Sequence, residues 1–338
     1  MNRRELLKTG AAIAAVPALP KAAFGSSGAL TPASLRLKWL PQAQFAGYYV
    51  AAAMGYYKDN GIDLKINPGG PNLLTENLIA TGGDTFGIGG GVHTLLASVD
   101  KALPLVCVGV AMQHTPFVFV YRKNGKIASI KDLPGKKVTT WFTGANIVLN
   151  AILEREGIDP ASVNIQPQQV SVTPFVDGQI DVVTATRYNE YYNLIQRVGE
   201  EHLARFVPED FGISVQSDLV IVNQNTARDK PELVTAFLRA SAKGWAKAFQ
   251  DPKATVDILL GVAPTLDRGH QEFMLAEVEK LVITDEVRKK GIFTMDMEAI
   301  RATHDVLLKN KAMSAAVNLD KAFNGSMLAS IPRSELLP

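Results

Sequence analysis

Cysteine is almost absent from this chain of 338 residues, since Cys107 stands alone. A disulfide within the chain is therefore excluded, and the apolar run Pro104-Leu-Val-Cys-Val-Gly-Val110 reads as a buried strand with a packed thiol. Histidine is scarce too: five scattered residues and one cysteine assemble no recognisable metal set. Charged residues make up only 20 %, and no Lys/Arg stripe gives a nucleic acid an electrostatic footprint. No apolar run reaches the roughly 20 residues that a membrane span needs. Repeats and low-complexity tracts are missing as well.

Arg3 and Arg4 precede Leu6, Leu7 and Lys8, and a mildly apolar run follows from Thr9 to Leu19. This is the pattern of a removable signal peptide, expected to end near Gly25. The order Asn-Arg-Arg-Glu-Leu-Leu-Lys, with Lys21 beyond the apolar run, resembles a twin-arginine signal, which implies export to the periplasm. Losing Arg3, Arg4, Lys8 and Lys21 against Glu5 moves the formal charge from +2 to about −1.

Hydrophobic residues are plentiful at 47 %, and the length exceeds that at which single cores divide, roughly 250–300 residues, so two lobes are expected. Strands are predicted at 35–40, 62–66, 85–88 and 105–111, separated by helices at 44–58, 72–80 and 92–101. A second α/β unit follows, with strands at 117–121, 137–141, 163–166 and 181–184 and helices at 146–156 and 190–198. A further strand near 216–223 precedes a helical stretch comprising 230–250, 253–261, 269–281 and 297–309. The predicted organisation is a first lobe from 26 to 115, a second from 116 to 217, and a return to the first over 218–338. Strands alternating with helices imply a mostly parallel sheet in each lobe. Two crossings, near Gln113–Pro116 and Ser214–Asp218, would make a hinge and hence a cleft able to close on a ligand.

Open α/β sheets gather ligand loops at the carboxyl ends of their strands. Here those loops are rich in Trp, Tyr, Gly, Gln and Asn. Trp39 and Trp141 follow strands directly, so they can either stack on a flat ligand or cap their sheets. Trp245 lies within a helix and is expected in the core, whereas Tyr48, one turn into the first helix, is a site candidate beside Phe45. Gln42, Gln113, Asn146, Asn189 and Glu190 supply donors and acceptors. Gly69, Gly70, Gly90, His93, Thr143, Gly144 and Tyr188 complete the expected lining. Glu190 has two readings, a partner for a ligand amine or a charge complementing the positive end of its helix. Aromatic walls with few charges suit an uncharged heterocycle; Arg187 is the feature that would suit an anion instead.

Enzyme signatures fail at specific positions. Gly87-Ile-Gly89-Gly-Gly91 follows a strand, but Val92 occupies the third glycine position of a dinucleotide fingerprint. Gly135-Lys-Lys137 lacks the hydroxyl residue and upstream glycine of a phosphate loop. No catalytic residue, metal or cofactor is therefore expected.

The segment Leu37-Lys-Trp-Leu-Pro-Gln-Ala-Gln-Phe-Ala-Gly-Tyr-Tyr-Val-Ala51 resembles the opening of periplasmic binding proteins related to the yeast thiamine-pyrimidine synthase. Gly55-Tyr-Tyr-Lys-Asp-Asn-Gly-Ile-Asp63, Gly69-Gly-Pro71, Trp141-Phe-Thr-Gly144 and Tyr188-Asn-Glu-Tyr191 extend the resemblance across about 35–225. It implies a type II periplasmic-binding fold and service to an ABC importer, with its permease and ATPase as partners. Members of that family take thiamine pyrimidine precursors or riboflavin, and more distant branches take sulfonates, taurine or nitrate. The resemblance assigns stacking and acidic roles to Trp39, Tyr48 and Glu190. The yeast enzyme's cysteine-rich segment has no counterpart here, which implies binding without chemistry, by an expected monomer.

Overall fold

Short β-branched and leucine-rich runs pair into two sheets. The computed structural model describes residues 29–70, 73–142, 144–169, 171–310 and 312–338. The expected signal peptide 1–25 and the loop residue Thr143 lie outside the described residues. The strands are β1 (Thr31–Arg36), β2 (Ile62–Asn67), β3 (Phe86–Gly91), β4 (Leu105–Met112), β5 (Phe117–Arg122), β6 (Lys137–Thr140), β7 (Asn164–Pro167), β8 (Val182–Thr186), β9 (Leu203–Phe206) and β10 (Ser217–Asn223). Their orders are β2-β1-β3-β10-β4 in the first sheet and β7-β6-β8-β5-β9 in the second. β4 is buried at every position, as its unbroken apolar run requires.

The sheets are mostly parallel as expected, and each is made mixed by a single reversed strand, β10 in the first and β5 in the second. β1 pairs in parallel with β2 and β3, whereas β10 runs antiparallel to β3 and β4. In the second sheet β6 is parallel to β7 and β8, but β5 is antiparallel to β8 and β9. The reason is the route of the chain. β5 enters its lobe from the hinge and β10 re-enters the first lobe from the hinge, so each runs against neighbours that point toward the cleft.

Helices cover both faces of each sheet. Ala46–Ala53, Pro231–Gln250 and Arg268–Val282 pack on one face of the first sheet; Val92–Asp100 and Met297–Lys309 pack on the other. In the second lobe Ala145–Arg155 and Glu190–Val198 take opposite faces. The single helix expected over 44–58 is three pieces: a 3₁₀ turn at Ala43–Phe45, then Ala46–Ala53 and Tyr56–Asp59. The break falls at Gly55, whose φ of +76° is left-handed and suits glycine. β9 and the short helix Thr173–Val176 escaped prediction because four residues carry too little periodicity.

The tightest helix contact joins Ala46–Ala53 to Pro231–Gln250. A Cβ added at Gly244 would lie 2.1 Å from the carbonyl oxygen of Gly47, and one at Gly47 would lie 2.2 Å from the Trp245 ring. Glycine at both positions lets two backbones approach, with Trp245 filling the core beside them. Gly244→Ala should therefore overpack the contact and lower unfolding free energy by about 1–3 kcal/mol, read by denaturant titration. A loss below about 0.5 kcal/mol, the size of an ordinary surface change, would mean that the helices can separate at little cost.

Candidate functional site

The crossings between the lobes are held by buried amides. Gln113 donates through Nε2 to the carbonyls of Val110 and Thr294, each at 3.1 Å, and its Oε1 accepts from Gln216 Nε2 at 2.6 Å. The Gln216 carbonyl accepts from Val92 N at 3.0 Å, so the hinge also satisfies a free N–H of the helix Val92–Asp100. Gln113, expected on the ligand wall, is thus committed to the hinge.

From the first lobe, the loop after β1 passes along the cleft. Gly69 packs against it so closely that an added Cβ would meet the Leu37 carbonyl oxygen at 2.2 Å, and Gly69 N donates to the Trp39 carbonyl at 2.9 Å. This close backbone approach explains glycine at 69; Gly70 has open space around it. Trp39 is half-buried on the edge of the core. Gln42 is buried and donates to Gln44 Oε1 at 2.8 Å, and Gln44 donates in turn to Asp218 Oδ2 at 2.8 Å. Lys38 forms an ion pair with the other oxygen of Asp218.

Phe45 and Tyr48 are placed differently from expectation. Both are fully buried, and the Tyr48 ring lies 5.6 Å from Trp245, 6.2 Å from Phe237 and 6.4 Å from Phe293. The helix Ala46–Ala53 turns this face toward Pro231–Gln250, so packing claims both rings. The same burial puts Trp245 in the core, where the sequence placed it.

Gly89 to Gly91 end β3 as strand, and the buried Glu76 holds them. Its Oε1 accepts from Gly90 N at 3.0 Å and from Thr94 Oγ1 at 2.9 Å. Sequence reasoning passed over Glu76, since an acid within a short helix carries no signal of its fold partner. His93 is buried in the first turn of the next helix. It meets the second lobe at Gly144, where an added Cβ would lie only 1.9 Å from His93 Nε2. Gly144 also has a φ of +139°, so glycine is required there twice over.

In the second lobe Trp141 is half-buried with its ring centroid 6.0 Å from that of Phe117. Trp39 and Trp141 share no ring contact among the described residues. Asn146 N donates to the Trp141 carbonyl at 3.1 Å, while its buried Oδ1 has no hydrogen-bond partner. Tyr188 is 3 % exposed and joins the core cluster of the opposite lobe. Burial, with added repulsion from Asp218 and Glu190, pushes its phenol well above the usual range. Glu190 opens the helix Glu190–Val198 and folds back on its own turn. Oε2 accepts from Thr186 N at 3.0 Å and Thr186 Oγ1 at 2.5 Å, and Oε1 accepts from Asn189 Nδ2 at 2.9 Å. Arg187 pairs with Glu209. A separate groove of ≈ 630 Å³, bordered by Lys289, Met295, Phe323 and Arg333, shares no residue with these loops.

The chain belongs to the NMT1/THI5-like family, whose model matches residues 42–255. It is 26 % identical over 307 residues to a riboflavin-binding protein of Chloroflexus aurantiacus, covering 88 % of this chain and 86 % of that one. Similarity to a formylaminopyrimidine-binding protein of Halalkalibacterium halodurans is 27 % over 241 residues, 69 % and 71 % of the two chains. A 4-amino-5-hydroxymethyl-2-methylpyrimidine phosphate synthase of Legionella pneumophila is 25 % identical over 241 residues, 69 % of this chain and 74 % of that one. Among solved structures, the alkanesulfonate-binding protein of Xanthomonas axonopodis bound to MOPS superposes with a TM-score of 0.66 at 14 % identity, covering 88 % and 99 % of the two chains. The architecture is thus the type II periplasmic-binding fold. No helix among the described residues is long and apolar enough to cross a membrane.

The lobes also meet through His270. Its ring, from Arg268–Val282, stacks on Tyr192 of the second lobe at 4.5 Å and 8°, with Phe273 beside it. Burial lowers the His270 pKa from its usual 6.5, while the Tyr188 carbonyl, Asp267, Glu190 and the Asn189 carbonyl act the other way. A lowered pKa means that this contact takes up a proton less readily than a solvated imidazole. The contact is therefore fully favourable above pH 6.5 and weakens as pH falls below it. Acidifying from about pH 7.5 to about pH 5.5 should expand the protein in small-angle scattering, and His270→Gln should remove that response. An equal acid response in the variant would assign it to other groups. Independently, Gly144→Ala should separate the lobes at neutral pH, since the new methyl group and the His93 ring cannot share one place; an unchanged scattering profile would show that His93 moves aside freely.

Proposed function

We propose that this protein is the periplasmic solute-binding component of an ABC importer, exported by the twin-arginine route. On this reading it captures a small planar heterocycle, a thiamine pyrimidine precursor or a related pyrimidine or flavin, between its lobes. The observation that carries the reading is the character of the cleft. Half-buried Trp39 and Trp141 lie in the loops after β1 and β6 of opposite lobes, and Gln42 and Asn146 follow them in the chain with neutral amide groups. Trp39 and Trp141 supply the stacking walls, Gly69, Gly70 and Gly90 allow close backbone approach, and Glu190 orders the turn that presents Tyr188.

Arg187 pairs with Glu209 through one guanidinium nitrogen while its buried Nε has no hydrogen-bond partner, so an oxyanion ligand is a competing outcome of the test below. Cys107 weighs against covalent chemistry. It is buried within β4, and burial pushes its thiol up to about 12. The relatives named as binding proteins support capture; those named as synthases make an enzyme the competing outcome.

Calorimetry against an aminopyrimidine, riboflavin and an alkanesulfonate tests the reading. An aminopyrimidine or the flavin should bind, with quenching or enhancement of tryptophan fluorescence. Trp39→Ala should weaken that binding by at least about tenfold, or about 1.4 kcal/mol. Binding of the sulfonate alone would replace the reading with an anion carrier, and turnover of the pyrimidine would replace it with an enzyme. If Trp39→Ala binds normally and melts earlier, the ring caps its sheet instead.

A further inference from the structure

We propose that Asp218, rather than Glu190, is the charged recognition group of the cleft, and that it selects a heterocycle bearing a ring amine or amidine, with Lys38 holding the ligand's place. This rests on the binding function proposed above and names the chemical class within it.

Asp218 is 2 % exposed at the point where the chain re-enters the first lobe. An ionised carboxylate is expensive to bury, and apolar residues of similar size would pack the start of β10 at less cost. Its backbone is unusual as well. A φ of +50° near the start of a strand is left-handed, and such strain in a residue with a side chain gathers at ligand sites. Both features concern one residue, and they coincide where the lobes face each other.

The surroundings point to a ligand cation. Each Asp218 oxygen has one partner, Lys38 Nζ on one side and Gln44 Nε2 on the other, both from the loop that carries Trp39. A carboxylate offers about four acceptor positions, so two remain for a further donor. Burial raises the phenol of Tyr188 from the second lobe, and the charge of Asp218 adds to that rise. Asp218 stands just past the crossing between the lobes, at the start of β10, so it borders their junction. Glu190 is less available, because it already accepts three hydrogen bonds from Thr186 and Asn189 within one turn, against two at Asp218. Lys38 can yield. Its side chain is 22 % exposed against 3 % for Asp218, and its flexible stem allows the ammonium to swing to solvent. A ligand N–H group would then replace one charge-assisted hydrogen bond with another and keep the buried carboxylate paired.

Two substitutions with opposite expected signs test this by calorimetry with a 4-aminopyrimidine and with riboflavin, which lacks an exocyclic amine. Asp218→Asn is the suitable change, since asparagine tolerates left-handed backbone and keeps the shape. It should weaken the aminopyrimidine about thirtyfold and riboflavin by less than about threefold. Lys38→Met removes the competitor and should leave aminopyrimidine affinity at least as tight as in the unmodified protein. Aminopyrimidine binding by Asp218→Asn within about twofold of the parent overturns the proposal, and so does an equal loss in both variants. If Asp218→Asn fails to fold, as its melting curve would reveal, Lys38→Met decides alone: retained or tightened binding supports the assignment and weakened binding overturns it. Should the parent bind riboflavin and no aminopyrimidine, the assignment of Asp218 falls while the binding function stands. Should it bind neither, both fall.

Discussion

The placement of β10 between β3 and β4 governs everything else in this molecule. It joins the centre of the first sheet through antiparallel pairings on both sides, from Ser217 opposite Gly91 and Met112 to Asn223 opposite Leu105. Until that strand arrives, β3 and β4 have no partner between them, and the first lobe cannot close its core. Because β10 comes directly from the second lobe, its insertion also fixes where the two lobes meet. Asp218 owes its position to this. It is the second residue of a central strand and, at the same time, the first past the crossing to confront the loop after β1.

The alternation of strands and helices was legible because it depends on local periodicity. Two lobes, two crossings and the order of elements could be read from it, as could the burial of β4 and Trp245. The one reversed strand in each sheet, β10 and β5, could not. Whether β10 runs with or against its neighbours depends on which side of the sheet the chain re-enters, and nothing local to Ser217–Asn223 records that. The helix 44–58 was misread as continuous because apolar spacing persists through Gly55, whose left-handed φ a pattern of side chains does not reveal.

Site residues divided along the same line. Of the positions named from loops and strand ends, His93, Gly144 and Tyr188 meet the opposite lobe, whereas Trp39 and Trp141 contact their own lobes. Tyr48 and Phe45 belong to the core, since helix orientation is set by tertiary packing on Trp245 and Phe237. Glu76, Asp218 and Gln216 were invisible for the opposite reason. Each gains its meaning from a partner distant in sequence, as when Lys38 meets a carboxylate 180 residues away. Resemblance to a family sharpened the loops and left these buried polar partners untouched, because they fall outside or between its motifs.

The solitary cysteine gives this protein a chemical clock. Cys107 lies in β4 opposite Ile221 of β10, and its carbonyl accepts from Asn324 N at 2.9 Å where the C-terminal segment bridges the sheet edge. A thiol reagent reaches the sulfur only when this layered arrangement comes apart, and movement of the lobes about the hinge leaves it covered. Alkylation would thus time the global opening of the first lobe, separately from any motion of the cleft. A reporter thiol introduced on the surface would label in seconds against this silent background, without first removing a native competitor.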